Sequence, residues 1–172
     1  MSPPLPRVTH ILAAVGLAPD FSAVAPAVLA AAGARGQAVH AAIEADHYGY
    51  LEADSLPPEV APYLDAYRKF FAESGHEPIA SEVEVIHPAW QYVGHVDRVG
   101  FISGRRWIVD WKTGDAVDLV AAGRQLAGYR LAWNAGHLTE PVEHVAVVQF
   151  RADGTYRIRD DIVNDPDHEQ VF

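Results

Sequence analysis

Cysteine is missing from all 172 residues, which excludes disulfides and thiolate-held metals and leaves the redox compartment undetermined. No apolar run is long enough to span a membrane, and the N-terminus lacks a basic-then-apolar signal pattern. The expectation is a cytoplasmic protein with no membrane partner. Internal repeats are absent, as are low-complexity tracts beyond alanine richness and any Walker-type phosphate loop, so an ATPase or helicase role has no support. Positive charge is scarce: 13 Lys and Arg stand against 23 Asp and Glu, a formal charge of −10. Proteins that hold nucleic acid through its backbone usually present a basic face, so this balance speaks against tight, unaided binding of that kind.

What is present is a globular composition. Apolar residues make up 49% and charged residues 21%, enough to build a core for a single domain over residues 1–172. The ends, residues 1–6 and 164–172, are expected to be loose. A Pro-rich extended start carries a short structured segment at Val8–Leu12. An Ala-rich helix runs from Phe21 to about His47, interrupted near Pro26 and Gly33. A second, amphipathic helix from Pro58 to Ser74 is closed by Gly75. Strands follow near residues 79–87, 91–102 and 106–112, then a helix over 116–134. Two last strands, near 142–150 and 155–160, are joined by an Asp153-Gly154 turn. That order predicts an α/β fold, a central mixed β-sheet flanked by helices.

The chemistry gathers in Gly94-His95-Val96-Asp97 and in the run Trp107-Ile108-Val109-Asp110-Trp111-Lys112-Thr113-Gly114. Side chains alternate along a strand, so Asp110 and Lys112 project from one side. A hairpin centred on Ser103-Gly104 sets Asp97 opposite Asp110. Two facing carboxylates in an apolar sheet repel and are poorly solvated, a conflict that a divalent cation resolves. A turn centred on Gly104-Arg105 instead sets Asp97 opposite Lys112, an ordinary ion pair that needs no metal. The pair of strands leaves both readings open.

Three more segments accompany them: Arg7-Val8-Thr9-His10-Ile11-Leu12, Gly36-Gln37-Ala38-Val39-His40 and Gln125-Leu126-Ala127-Gly128-Tyr129. In this order, from about Pro6 to Tyr129, the chain resembles the PD-(D/E)XK nuclease superfamily. The likeness is to its RecB-like branch, with Gly-x-x-x-His, Gly-x-x-Asp, Asp-x-Lys-Thr-Gly and Gln-x-x-x-Tyr motifs. The first segment resembles the opening of many phage and mitochondrial exonucleases of this type. The resemblance implies a restriction-endonuclease-like core and a DNA nuclease dependent on one or two Mg²⁺ or Mn²⁺ ions. The iron-sulfur cluster of part of the branch cannot be present without cysteine.

Residue by residue, the resemblance makes Asp97 and Asp110 metal ligands, with the Trp111 carbonyl as a further one. Lys112 orients or helps deprotonate the attacking water and stabilises negative charge in the transition state. His40, one turn before Glu44 on the same helix face, is implied as a ligand, and an imidazole favours Mn²⁺ over an all-oxygen site. Glu82 and Glu84 share one face of their strand, opposite Val83 and Val85; the Ser-Glu pattern favours Glu82 as the one turned toward the metals. Gln125 and Tyr129, one helical turn apart, contact the DNA backbone or brace the catalytic strands. Arg98, Arg105, Arg106, Lys112 and Arg124 are expected to gather near the site and offset the acidic balance.

The function expected is metal-dependent hydrolysis of DNA from free ends or single strands, in recombination, repair or phage DNA processing. A protein partner that captures the DNA would compensate for the charge. Two other readings stand beside it. One is a non-catalytic nucleic-acid-binding or assembly subunit on the same fold, although such chains usually lose an acidic ligand or the lysine. The other is an acidic protein mimicking DNA, which leaves the ordered motifs unexplained.

Overall fold

The computed structural model describes residues 4–172, so the expected looseness of residues 1–3 lies outside what is described. Its elements in chain order are α1 (Val8–Ala14), α2 (Pro26–His47), α3 (Ala61–Ser74), β1 (Glu77–His87), β2 (Tyr92–Ile102), β3 (Arg105–Thr113), α4 (Leu119–Gly136), β4 (His144–Phe150) and β5 (Tyr156–Arg159), with short 3-10 helices at Ala53–Ser55 and Pro166–Val171. The five strands form one sheet in the order β1-β2-β3-β4-β5. Only β3 and β4 run parallel, and α4 is the crossover that parallel pairing demands. The fold is therefore the expected mixed sheet flanked by helices.

Alternation along the strands gives the sheet two apolar faces. Ile108, Val145 and Val147 join Leu12 of α1 and Leu126 of α4 in one cluster. Val109, Trp111, Val148 and Phe150 join Ile43 of α2 and Leu64 and Phe70 of α3 in the other. Burying both faces explains the nearly unbroken apolar run of β4. No helix of the described residues is long and apolar enough to cross a membrane.

Three expectations change. Pro26 starts α2 instead of interrupting it, because a proline at the first helical position gives up an N–H that has no partner there anyway. Gly33 is carried through within the same unbroken helix. The C-terminal residues are not loose: His168 is buried and packs on Gly123, and the Phe172 ring lies on Gly128 and against Tyr92. A Cβ at either glycine would collide with those rings. Arg130 fastens the same segment through a 2.7 Å ion pair to Glu169.

Candidate active site

The β2-β3 hairpin turns on Ser103-Gly104, both in the left-handed region at φ 52° and 75°, with Ile102 opposite Arg105. That is the primed turn whose twist suits a two-residue hairpin. The register brings Arg98 opposite Val109, and so carries Asp97 to the level of Asp110. There the ladder stops. The Asp97 carboxylate, not a backbone carbonyl of β2, accepts the Trp111 N–H at 2.7 Å.

The other neighbour of Asp97 opens at the same level. Ser81 pairs with Arg98 and Val83 with Val96, which leaves Glu82 and Asp97 facing each other outside the ladder. Glu82 adopts φ 47°, a left-handed conformation uncommon for a residue with a side chain. The facing of both strands shifts by one here. Ala80, Val83 and Val85 all pack on the α1-α4 cluster, as do Val96 and Val99. Glu82 and Glu84 therefore do not follow the simple alternation expected of them. Glu84 is exposed, whereas Glu82 turns in to meet two histidines.

Into this fork α2 inserts His40. Its Nε2–H donates to the Trp111 carbonyl at 3.2 Å. Its Nδ1 then points at Glu82 Oε1, 3.6 Å away, and at Asp97 Oδ1, 3.7 Å away. Those gaps are too long for hydrogen bonds. A lone pair aimed at two carboxylates needs a cation between them, either a proton on the ring or a metal ion. A histidine that anchors one ring nitrogen on a carbonyl and offers the other is the usual arrangement around a bound metal. Among the described residues, His40, Glu82 and Asp97 are the group whose ligand atoms all lie within 4.8 Å of one another. The donor set thus fits a divalent cation.

The charges respond to this crowding. Burial favours the neutral His40 imidazole, but the Glu82 carboxylate and the Asp97 and Asp110 charges outweigh it and raise its pKa to about 9. Burial and the nearby Asp110 charge push the Asp97 carboxyl up to about 7, against the pull of His40, Lys112 and the Trp111 N–H. Burial works against ionised Glu82, yet its two histidine partners hold its carboxyl below the usual range. Lys112 Nζ lies 2.7 Å from Asp110 Oδ2, a close ion pair. Despite burial, Asp110 and Asp97 keep the ammonium above its ordinary pKa.

On the α4 side, Gln125 Nε2 donates to the Tyr129 hydroxyl at 2.7 Å and approaches Asp110 Oδ1 at 3.5 Å. One side of the Tyr129 ring, at Cδ1 and Cε1, lies against Gly94, where a Cβ would clash with it. This close approach is the physical need for glycine at the start of Gly94-His95-Val96-Asp97. His95 was not anticipated: its Nε2 lies 2.7 Å from Glu82 Oε2 and completes a chain His40–Glu82–His95. Trp111 engages His40 through its carbonyl oxygen, which keeps a second lone pair.

Of the basic residues expected to gather, Lys112 stands in the site on Asp110, whereas Arg98, Arg105 and Arg106 do not join it. Arg98 is 1% exposed and lies under α3, 3.4 Å from the Tyr67 hydroxyl. Arg105 and Arg106 sit at the far end of β3, against His144 and Glu140. A strand rises about 3.3 Å per residue, so neighbours in sequence are soon far apart in space.

A family model of the PD-(D/E)XK nuclease superfamily matches residues 50–170. The chain belongs to the PD-(D/E)XK nuclease superfamily. The matched span includes Glu82, Asp97, Asp110, Lys112, Gln125 and Tyr129, while His40 lies before it. No curated protein matches the sequence. Among solved structures, the chain is similar to the crystal structure of SSO0001, at 16% identity and a TM-score of 0.40. That similarity covers 81% of this chain and 66% of the other.

Proposed function

We propose that the protein is a divalent-metal-dependent deoxyribonuclease, an exonuclease of the RecB-like branch that works on DNA in recombination, repair or phage DNA processing. The observation that carries this reading is the His40 imidazole, fixed by the Trp111 carbonyl and aimed at Glu82 and Asp97, with Lys112 just beyond on Asp110. His40, Glu82 and Asp97 would hold a Mg²⁺ or Mn²⁺ ion, with Asp110 and the Trp111 carbonyl able to complete its shell. Such an ion supplies Lewis-acid relief of phosphate charge and a more acidic water.

The chain's own residues do the rest. Lys112, kept cationic by Asp110, faces the developing negative charge and positions the water. Gln125 fixes the Asp110 carboxylate from one side and the Tyr129 hydroxyl from the other, which limits drift of the reacting groups. The shortage of basic groups around the fork favours substrates delivered by a DNA-capturing partner, and salt-sensitive binding in its absence.

Purified protein incubated with end-labelled single- and double-stranded DNA, with Mg²⁺, Mn²⁺ or EDTA, tests the reading. Stepwise shortening from an end, abolished by EDTA, is the expected result. Binding without cleavage in every metal would replace it with the non-catalytic subunit.

A further inference from the structure

Beside Lys112, on the side away from His40, a cavity of about 250 Å³ opens between α1, the loop that follows it and the first turns of α4. Lys112 and Gln125 belong to its lining, so it is continuous with the reacting centre. Leu12, Phe21, Val117 and Ala121 supply apolar walls. A preformed, mostly apolar pocket with a few polar groups converging on it is the kind of place where a small planar group binds.

We propose that this cavity receives one unstacked nucleobase of the strand whose phosphodiester lies at Lys112. The inference rests on the nuclease reading above and adds what the site selects: single-stranded or frayed DNA. Leu12 and Ala121 are almost fully buried and carried on helices, so the walls are in place before substrate arrives. The half-exposed Phe21 ring forms the outer lip and offers a flat face. Every base has a π-face, so a lip of this kind accepts any of them. Asp118 stands on the lining with its carboxylate capping the Ala121 N–H at 3.0 Å. That negative charge repels a phosphate and leaves the neutral base as the part of a nucleotide that fits. A base that is stacked and paired inside a duplex cannot reach into a pocket, so a base must leave the duplex to enter.

The test uses labelled single strands in which an abasic nucleotide is moved position by position from the end, together with a duplex whose two ends are covalently closed. Cleavage in Mn²⁺ and equilibrium binding are both measured. Ala116 is exposed on the rim, so Ala116→Trp can plug the cavity without disturbing the core; Phe21→Ala removes the lip. One abasic position should lower kcat/KM about 10-fold, Ala116→Trp should do the same on an ordinary strand, and the two together should lose no more than either alone. Phe21→Ala should cost less, and the closed duplex should resist cleavage. Equal use of abasic strands at every position, or additive losses, overturns the pocket while leaving a nuclease. Binding that depends on the base and on Ala116→Trp, without cleavage, overturns the nuclease reading and keeps the pocket. A protein that neither cuts nor binds DNA overturns both.

Discussion

The two halves of β2 are built on opposite rules. From Val99 to Phe101 every residue pairs with both β1 and β3, and Val99 is wholly buried among apolar side chains. At Asp97, among the described residues, neither neighbouring strand pairs, and two further carboxylates, two histidines and a lysine surround it. The paired half lowers the energy of the fold. The forked half gives up two ladder positions and concentrates like charge, which only an ion or protons can relieve. Such a region is expected where a fold gives up stability to bind.

The largest contrast should come from two residues of β3 on the same side of the sheet. Asp110→Asn should keep the fold, as a near-isosteric change, and lower the chemical rate by about 10²-fold or more. Ile108→Ala, in the paired half, should cost about 2–5 kcal/mol of stability. The folded fraction should retain nearly parental turnover. Denaturant titration beside single-turnover cleavage separates the two effects; equal activity in Asp110→Asn and the parent would erase the contrast.

Lys112→Met sharpens the distinction within the fork itself. A rate lower by about 10²-fold is expected, with the metal-induced rise in melting temperature preserved. If turnover is unchanged, Lys112 is only the ion-pair partner of Asp110.

The smallest effect lies in stability and depends on pH. The Asp97 carboxyl titrates near 7 in the fold and from 3.8 when free, so folding takes up a proton between those values. Asp97 by itself therefore takes stability away from the metal-free protein as pH rises through that window. Asp97→Asn removes this loss while keeping an oxygen for the Trp111 N–H. In EDTA its melting temperature should match the parent's near pH 4 and exceed it by about 5 °C near pH 7. A constant difference across the window would mean the facing carboxylates are not the source.

The paired half was legible in the sequence because periodicity and turn chemistry report directly on burial and backbone. The Ser103-Gly104 turn chose the register, and with it the approach of Asp97 to Asp110. The fork was less legible. Ser81-Glu82-Val83-Glu84-Val85 reads as an unbroken alternating strand, and nothing in it announces a left-handed Glu82. His95 escaped notice for the same reason, since its contact exists only because Glu82 departs from the pleat. The packed tail did leave a trace. Glycines at 123 and 128 weaken a helix by about 1 kcal/mol each relative to alanine, and so hint that something lies against it.

The central claim is that His40, Glu82 and Asp97 hold a divalent cation, and thermal melting with Mn²⁺ and Mg²⁺ at pH 7 and fixed ionic strength tests it most directly. A saturable rise in melting temperature is predicted, worth about 2.7 kcal/mol at a hundredfold excess of ion over its dissociation constant. Mn²⁺ should act at lower concentration than Mg²⁺, His40→Ala should narrow that gap, and Asp97→Asn should weaken the response to both. An unchanged melting temperature in the parent at millimolar Mn²⁺, or an equal response in Asp97→Asn, would contradict the account.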